Sequence, residues 1–213
     1  MLNTWLEQIG SVHGIQIKYK DESIFMKFLG LILFFNKNFA SWYTTTIGNT
    51  IYFPTRKWVQ EWEDRAVRVC WHELVHVLDR KMLNDRFPFF YELIYLFPQC
   101  LAVLSVFSLL SFFSLWFLFA LVFLIFLAPI PSCGRAWLET RAYAMNMYIS
   151  YLKMGEGYNA EQHVQVFEPE FMSVNYYYMS GDWKQTKENL INCLRKLPQT
   201  HVAFKKARDW YSK

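Results

Sequence analysis

Charge is scarce in this chain: Asp, Glu, Lys and Arg make up 19% of its 213 residues, against about a quarter in an ordinary soluble domain. Residues 93–134 hold none of the four. No block of Lys or Arg, and no basic–aromatic array, accompanies the net charge of +4, which argues against nucleic-acid binding. A mild positive balance of this kind suits an anionic lipid surface. The four cysteines, Cys70, Cys100, Cys133 and Cys193, form no C-x-x-C pair, so neither a disulfide framework nor a cysteine metal site is expected, and a reducing compartment is. The opening residues lack a basic start followed by an apolar run, so no secretory signal peptide is expected. A Gly-rich phosphate loop, an internal repeat and a low-complexity linker are also missing.

Aromatic residues, by contrast, reach 20%. A short amphipathic helix fits residues 2–12, and Ile15 to Tyr19 alternates as a half-buried strand does. Asp21 suits the N-cap of an apolar helix from Phe25 to Phe35. Trp42 to Pro54 places β-branched and aromatic residues on both sides of Gly48-Asn49, which predicts a β-hairpin. A helical pattern then runs from about Lys57 to Leu83. Leu101 to Leu127 is nearly all apolar, a membrane-span candidate punctuated by Pro98, Pro129 and Pro131. A helix resumes after Gly134, and two more are expected near 183–196, capped by Asp182, and near 200–212.

Within the 57–83 helix stands His72-Glu73-Leu74-Val75-His76. Residues four apart on a helix share one face. Two imidazoles so placed can hold one tetrahedral Zn²⁺ at about 2.0–2.1 Å. Glu73 then stands beside the open coordination position, where it can take a proton from water and pass it to a leaving amine. A catalytic zinc also takes a third protein ligand. The downstream candidates are Glu139, His163, Glu168, Glu170 and His201. Glu139 is favoured because it lies on an expected helix with the small Ala142 three residues on, which allows close packing. Asp79, just past His76, could accept a hydrogen bond from a ligand imidazole. His13, His163 and His201 read as isolated surface or core histidines, and Tyr176, Tyr177 and Tyr178 as core aromatics.

The pairing of His72-Glu73-x-x-His76 with Glu139-x-x-Ala142 resembles the gluzincin branch of the zincin metallopeptidases. The resemblance implies an α+β, zincin-like fold that is mostly helical with a small N-terminal sheet. It also implies His72, His76 and Glu139 as zinc ligands, Glu73 as general base, and an edge strand, here Thr44, Thr45, Thr46 and Ile47, that binds a peptide or protein substrate as an added strand. A hydrophobic segment between the motif and the third ligand is similar to membrane-embedded gluzincins, and the small size to minimal and bacteriophage-carried members. The elongated motif with a third His is missing after His76, which excludes the metzincin pattern.

Three parts follow: residues 1–92 with hairpin and motif helix, 93–133 as an inserted hydrophobic helical hairpin, and 134–213 with the third ligand. For His72 and Glu139 to reach one ion, both flanks of the apolar stretch must lie on the same side of any membrane. Two spans of about 18–20 residues, turning near Ser108, Ser111 and Ser114, would meet that. Arg80, Lys81, Arg86, Arg135 and Arg141 on the flanks point to a membrane-associated protein with its catalytic part in the cytoplasm. The hairpin could equally be buried in a hydrophobic protein partner. The expected function is a membrane-associated zinc metalloendopeptidase; the alternative is a non-catalytic zincin-like structural or membrane-penetrating component, for example of a phage particle.

Overall fold

β-branched and aromatic residues build the sheet. In a computed structural model that describes residues 6, 8–11, 14–32, 38–128, 130–173 and 178–212, the strands are β1 (Gln16–Tyr19), β2 (Thr45–Ile47) and β3 (Thr50–Phe53). β2 and β3 form the expected hairpin, with Thr45 opposite Tyr52 and Ile47 opposite Thr50. Gly48 takes the left-handed conformation at the turn (φ +61°), which a residue with a Cβ adopts only under strain. Ile51 and Phe53 point to the interior and are fully buried. β1 joins the far side of β3 in parallel, so the order is β1-β3-β2. A parallel pair needs a crossover, and helix α1 (Ile24–Ile32) lies within it. The Ser23 hydroxyl, rather than Asp21, caps α1 by accepting from Met26 N at 3.3 Å. The expected continuation to Phe35 lies outside the described residues, as does much of the helix expected at 2–12.

The helix anticipated over 57–83 is two helices, α2 (Arg56–Glu61) and α3 (Glu63–Asn84). Thr55 caps α2 through its hydroxyl, which accepts from Trp58 N at 2.9 Å. The chain breaks at Trp62 (φ −123°, ψ 48°). There Trp42 meets Trp58 and Trp62 edge-on, with centroids 6.2 and 5.7 Å away. The pattern of apolar residues runs unbroken through Trp62, so periodicity alone gives no sign of the corner. α3 opens with Glu63 and Asp64 and carries Lys81 in its last turn, charges that complement the helix dipole. Its inward face is Ala66, Cys70, Leu74 and Val77, all buried.

Contacts divide the chain into two units, one ending at Leu78 and the other running from Asp79 to Ser212. The division falls inside α3. The second unit is organised on α5 (Cys133–Met154), whose Ser132 cap accepts from Arg135 N at 3.3 Å. Two short helices, α6 (Ala160–His163) and α7 (Glu168–Met172), precede α8 (Trp183–Thr200) and α9 (Val202–Tyr211). Asp182 caps α8 as expected, accepting from Gln185 N at 3.1 Å. Met147 of α5 packs with Phe171, Met179, Leu190 and Ile191 into a core.

The apolar stretch is a hairpin, but not of two α-helical spans. α4 (Phe90–Leu96) ends in a bend of 92°, after which a first arm (Gln99–Phe112) and a second arm (Leu115–Leu127) run as 3₁₀ helices packed on each other. The turn is at Phe113-Ser114; Ser108 and Ser111 sit inside the first arm. Runs of 3₁₀ this long are uncommon, and the sequence supplies a reason. With three residues per turn, side chains at i and i+3 stack in rows. The first arm has a row of small residues, Ala102, Ser105, Ser108 and Ser111, buried or half-buried. The second arm has Phe117, Ala120, Phe123 and Phe126, its least exposed row. Leu115, Leu118, Leu121, Leu124 and Leu127 form another row of that arm, and Trp116, Phe119, Val122 and Ile125 the third. Stacking of Trp116 on Phe119 and of Phe123 on Phe126, at 5.5 and 6.2 Å, follows the same step of three. Among the described residues no single helix is long and apolar enough to cross a membrane.

α4 and α5 approach closely at Gly134, where an added Cβ would lie 2.6 Å from both the carbonyl oxygen and Cγ2 of Ile94. Gly134→Ala is therefore expected to destabilise the protein by about 1–3 kcal/mol, measured by denaturant unfolding. Gly157→Ala, at a position with open space around it, is expected to change stability by less than about 0.5 kcal/mol.

Candidate metal centre

The step of four residues on α3 brings the rings of His72 and His76 to a centroid distance of 5.0 Å, at an interplanar angle of 72°. Both are buried, as is Glu139 on α5. The ligand-capable atoms of His72, His76 and Glu139 all lie within 4.8 Å of one another, so this buried group could hold a metal ion. The residues fit such an ion by chemistry. Two imidazoles and a carboxylate are a common zinc donor set, and its ligand atoms stand about 3.4 Å apart around a tetrahedral ion with bonds of about 2.1 Å. Of the five downstream candidates, Glu139 is the one in this group; His163 instead meets the Tyr158 hydroxyl through Nδ1 at 3.0 Å, and Glu168 and Glu170 lie on α7. His13, Tyr176 and Tyr177 are outside the described residues.

Two side chains to which sequence reading gave no role at the site, Tyr95 and Arg135, shape it. The Tyr95 hydroxyl, on α4, donates to Glu139 Oε1 at 2.7 Å. Burial, and then the neighbouring Glu139 charge, push the Tyr95 phenol well above its ordinary range, so it stays protonated and remains a donor. That bond occupies one oxygen of the carboxylate and orients the other. Arg135, one helical turn before Glu139, donates from Nε to the Tyr95 carbonyl at 3.1 Å and from Nη2 to Gln99 Oε1 at 3.0 Å. Tyr95 is thus held at its backbone and its ring tip by residues of α5.

Glu73 is held from the sheet. Thr46 Oγ1, on β2, donates to Glu73 Oε2 at 2.7 Å. Lys20, buried just past β1, donates from Nζ to the Phe39 carbonyl at 2.6 Å. Burial lowers its ammonium to about 8, against the Glu73 charge, which raises it. A Thr in an alternating strand and a Lys after one look ordinary in sequence; only the fold brings them toward Glu73. The expected strand residues divide accordingly: Thr45, Thr46 and Ile47 form β2, while Thr44 precedes it.

Asp79 was expected to meet a ligand imidazole; its partners in the structure are a different set. Arg141 donates from Nε and Nη2 to its two carboxylate oxygens, both at 2.7 Å. His201 Nε2 lies 3.1 Å from Oδ1. Since Ala203 N donates to His201 Nδ1, the ring proton sits on Nε2 and donates to Asp79. His201 is thus neither isolated nor idle: it caps α9 and ties that helix to the end of α3. Burial would raise the Asp79 carboxyl, but the bonds and charges of His201 and Arg141 outweigh it and hold the group below its ordinary value.

Comparison with family models, curated proteins and solved structures gives no match.

Two substitutions test this arrangement. Tyr95→Phe is expected to weaken divalent-metal affinity by about 10–100-fold, read by competition with a chromogenic chelator. Asp79→Asn, which leaves the half-buried Arg141 against a neutral partner, is expected to cost about 1–3 kcal/mol at neutral pH. A carboxyl held below its ordinary value of about 3.9 contributes fully above that pH and loses its contribution as pH falls through the folded value. Unfolding curves of the two proteins should therefore converge in acid.

Proposed function

We propose that this chain is a zinc-dependent metallopeptidase of gluzincin type, cutting peptide bonds with Glu73 as general base. The observation that carries this reading is the grouping of His72, His76 and Glu139 with Glu73 on the same helix, anchored to an edge strand by Thr46. When bound, zinc lowers the pKa of a coordinated water and polarises the scissile carbonyl. His72 and His76 would present that ion from one face of α3, and the Glu139 carboxylate, held at one oxygen by Tyr95, would complete the set. Glu73 takes a proton from the attacking water and returns it to the departing amine. Thr46 limits Glu73 to rotamers that keep one oxygen engaged and leave the other for the proton.

β2 pairs with β3 alone among the described strands, so its outer edge has backbone groups to offer. A substrate segment adding there as a strand gains main-chain hydrogen bonds and is drawn past Glu73. Its chain would run along Thr45 to Ile47.

A second reading, a structural zinc in a non-catalytic component, draws on the burial of all three donors. Glu73→Gln separates the two. The variant is expected to retain stoichiometric zinc and lose about 10²–10⁴-fold in cleavage of a peptide library read by mass spectrometry. Cleavage at the wild-type rate would overturn the role of Glu73. Stoichiometric zinc in the wild type without cleavage of any peptide would favour the structural reading.

A further inference from the structure

The exposed faces of the 3₁₀ hairpin are apolar on every side. In the first arm Val103, Val106, Leu109 and Phe112 face outward, with Phe112 94% exposed. In the second arm the leucine row and the Trp116 row are both exposed. A groove on a protein partner covers one face of such an element, and the remaining faces then carry polar residues. Here no outward row carries a charge. We propose that this hairpin is inserted in a lipid bilayer, crossing it and returning, with Phe113 and Trp116 at the far interface. The proposal concerns a part of the chain outside the metal centre and does not rest on the peptidase reading.

Length supports it. A 3₁₀ helix rises about 2.0 Å per residue, more than the 1.5 Å of an α-helix. Arms of 14 and 13 residues therefore reach about 28 and 26 Å, close to the roughly 30 Å hydrocarbon core. As α-helices the same arms would reach only about 20 Å and fall short. The 3₁₀ form also keeps backbone donors and acceptors paired within each arm, as a lipid surround requires. The half-buried serine row faces the other arm, in the manner of small residues between membrane helices.

Polar groups gather at the two ends. At the base, Gln99 Nε2 donates to the Ile130 carbonyl at 3.3 Å, the Ser132 hydroxyl to the Phe97 carbonyl at 2.5 Å, and Arg135 to Gln99. This neck fixes both arm ends together and marks the near interface. At the tip, Ser114 Oγ accepts from Trp116 N, and an aromatic pair flanks it, as is common where a segment meets headgroups. Of the flanking basic residues, Arg80, Arg135 and Arg141 are engaged inside the protein, while Lys81 and Arg86 are exposed.

The test uses the full chain added to preformed vesicles of phosphatidylcholine and phosphatidylglycerol at a ratio of about 3:1, an anionic surface. The protein is expected to float with the vesicles and resist carbonate extraction. The Trp116 signal, taken as the fluorescence difference between wild type and Trp116→Phe, is expected to be quenched by iodide enclosed in the vesicles and shielded from iodide outside. A Leu118→Arg, Ile125→Arg double variant should lower the bound fraction by about tenfold or more while keeping the wild-type far-ultraviolet circular dichroism. Glu73→Gln should insert like wild type, so loss of peptidase activity and loss of insertion are separable outcomes. Extraction by carbonate, quenching from outside, or self-association with no vesicle binding would each overturn the proposal, the last in favour of a second copy as the occupant.

Discussion

A carboxylate is buried at Glu139, and the second unit is built around keeping it there. Removing such a group from water costs several kcal/mol unless charge and hydrogen bonds compensate. Tyr95 supplies one strong bond from a phenol that burial keeps protonated. The two imidazoles of α3 stand within ligand range, and a divalent cation shared among the three is the compensation that suits all of them.

Position follows from a short chain of bonds. Ser132 starts α5, Arg135 sits one turn in, and Glu139 one turn further. Arg135 grips the Tyr95 carbonyl and Gln99, and Tyr95 grips Glu139. The neck of the apolar hairpin and Glu139 are therefore fixed by the same few residues, with Gly134 allowing α4 to lie close enough. A second, independent knot joins Asp79, Arg141 and His201. It pins the end of α3, the middle of α5 and the start of α9. Both knots lie within the second unit.

Much of this was legible in the amino-acid order. The hairpin at 45–53, the Asp182 cap and the motif helix each carry a local signal, because turn residues, caps and helical spacing act over a few positions. Glu139 was picked out by its helix and the small Ala142 beside it, which is indeed fully buried. What escaped notice depends on distant packing. The corner at Trp62 arises where Trp42 arrives from another part of the chain. Thr46, Tyr95 and His201 gain their roles from partners 27, 44 and 122 positions away. The 3₁₀ arms are a different case. Their period of three is written in the leucines at 115, 118, 121, 124 and 127 and in the small residues at 102, 105, 108 and 111. A search for α-helical spacing passes over it.

The central claim is that two imidazoles one turn apart and a remote carboxylate share one metal ion. X-ray absorption at the zinc edge on purified protein, with metal content by mass spectrometry, addresses it directly. The account predicts about one zinc per chain with two nitrogen ligands from imidazole and oxygen in the remaining positions at about 2.0–2.2 Å, and loss of one oxygen contribution together with weakened binding in Glu139→Ala. Protein that takes up no zinc, or a coordination shell unchanged by Glu139→Ala, would contradict it.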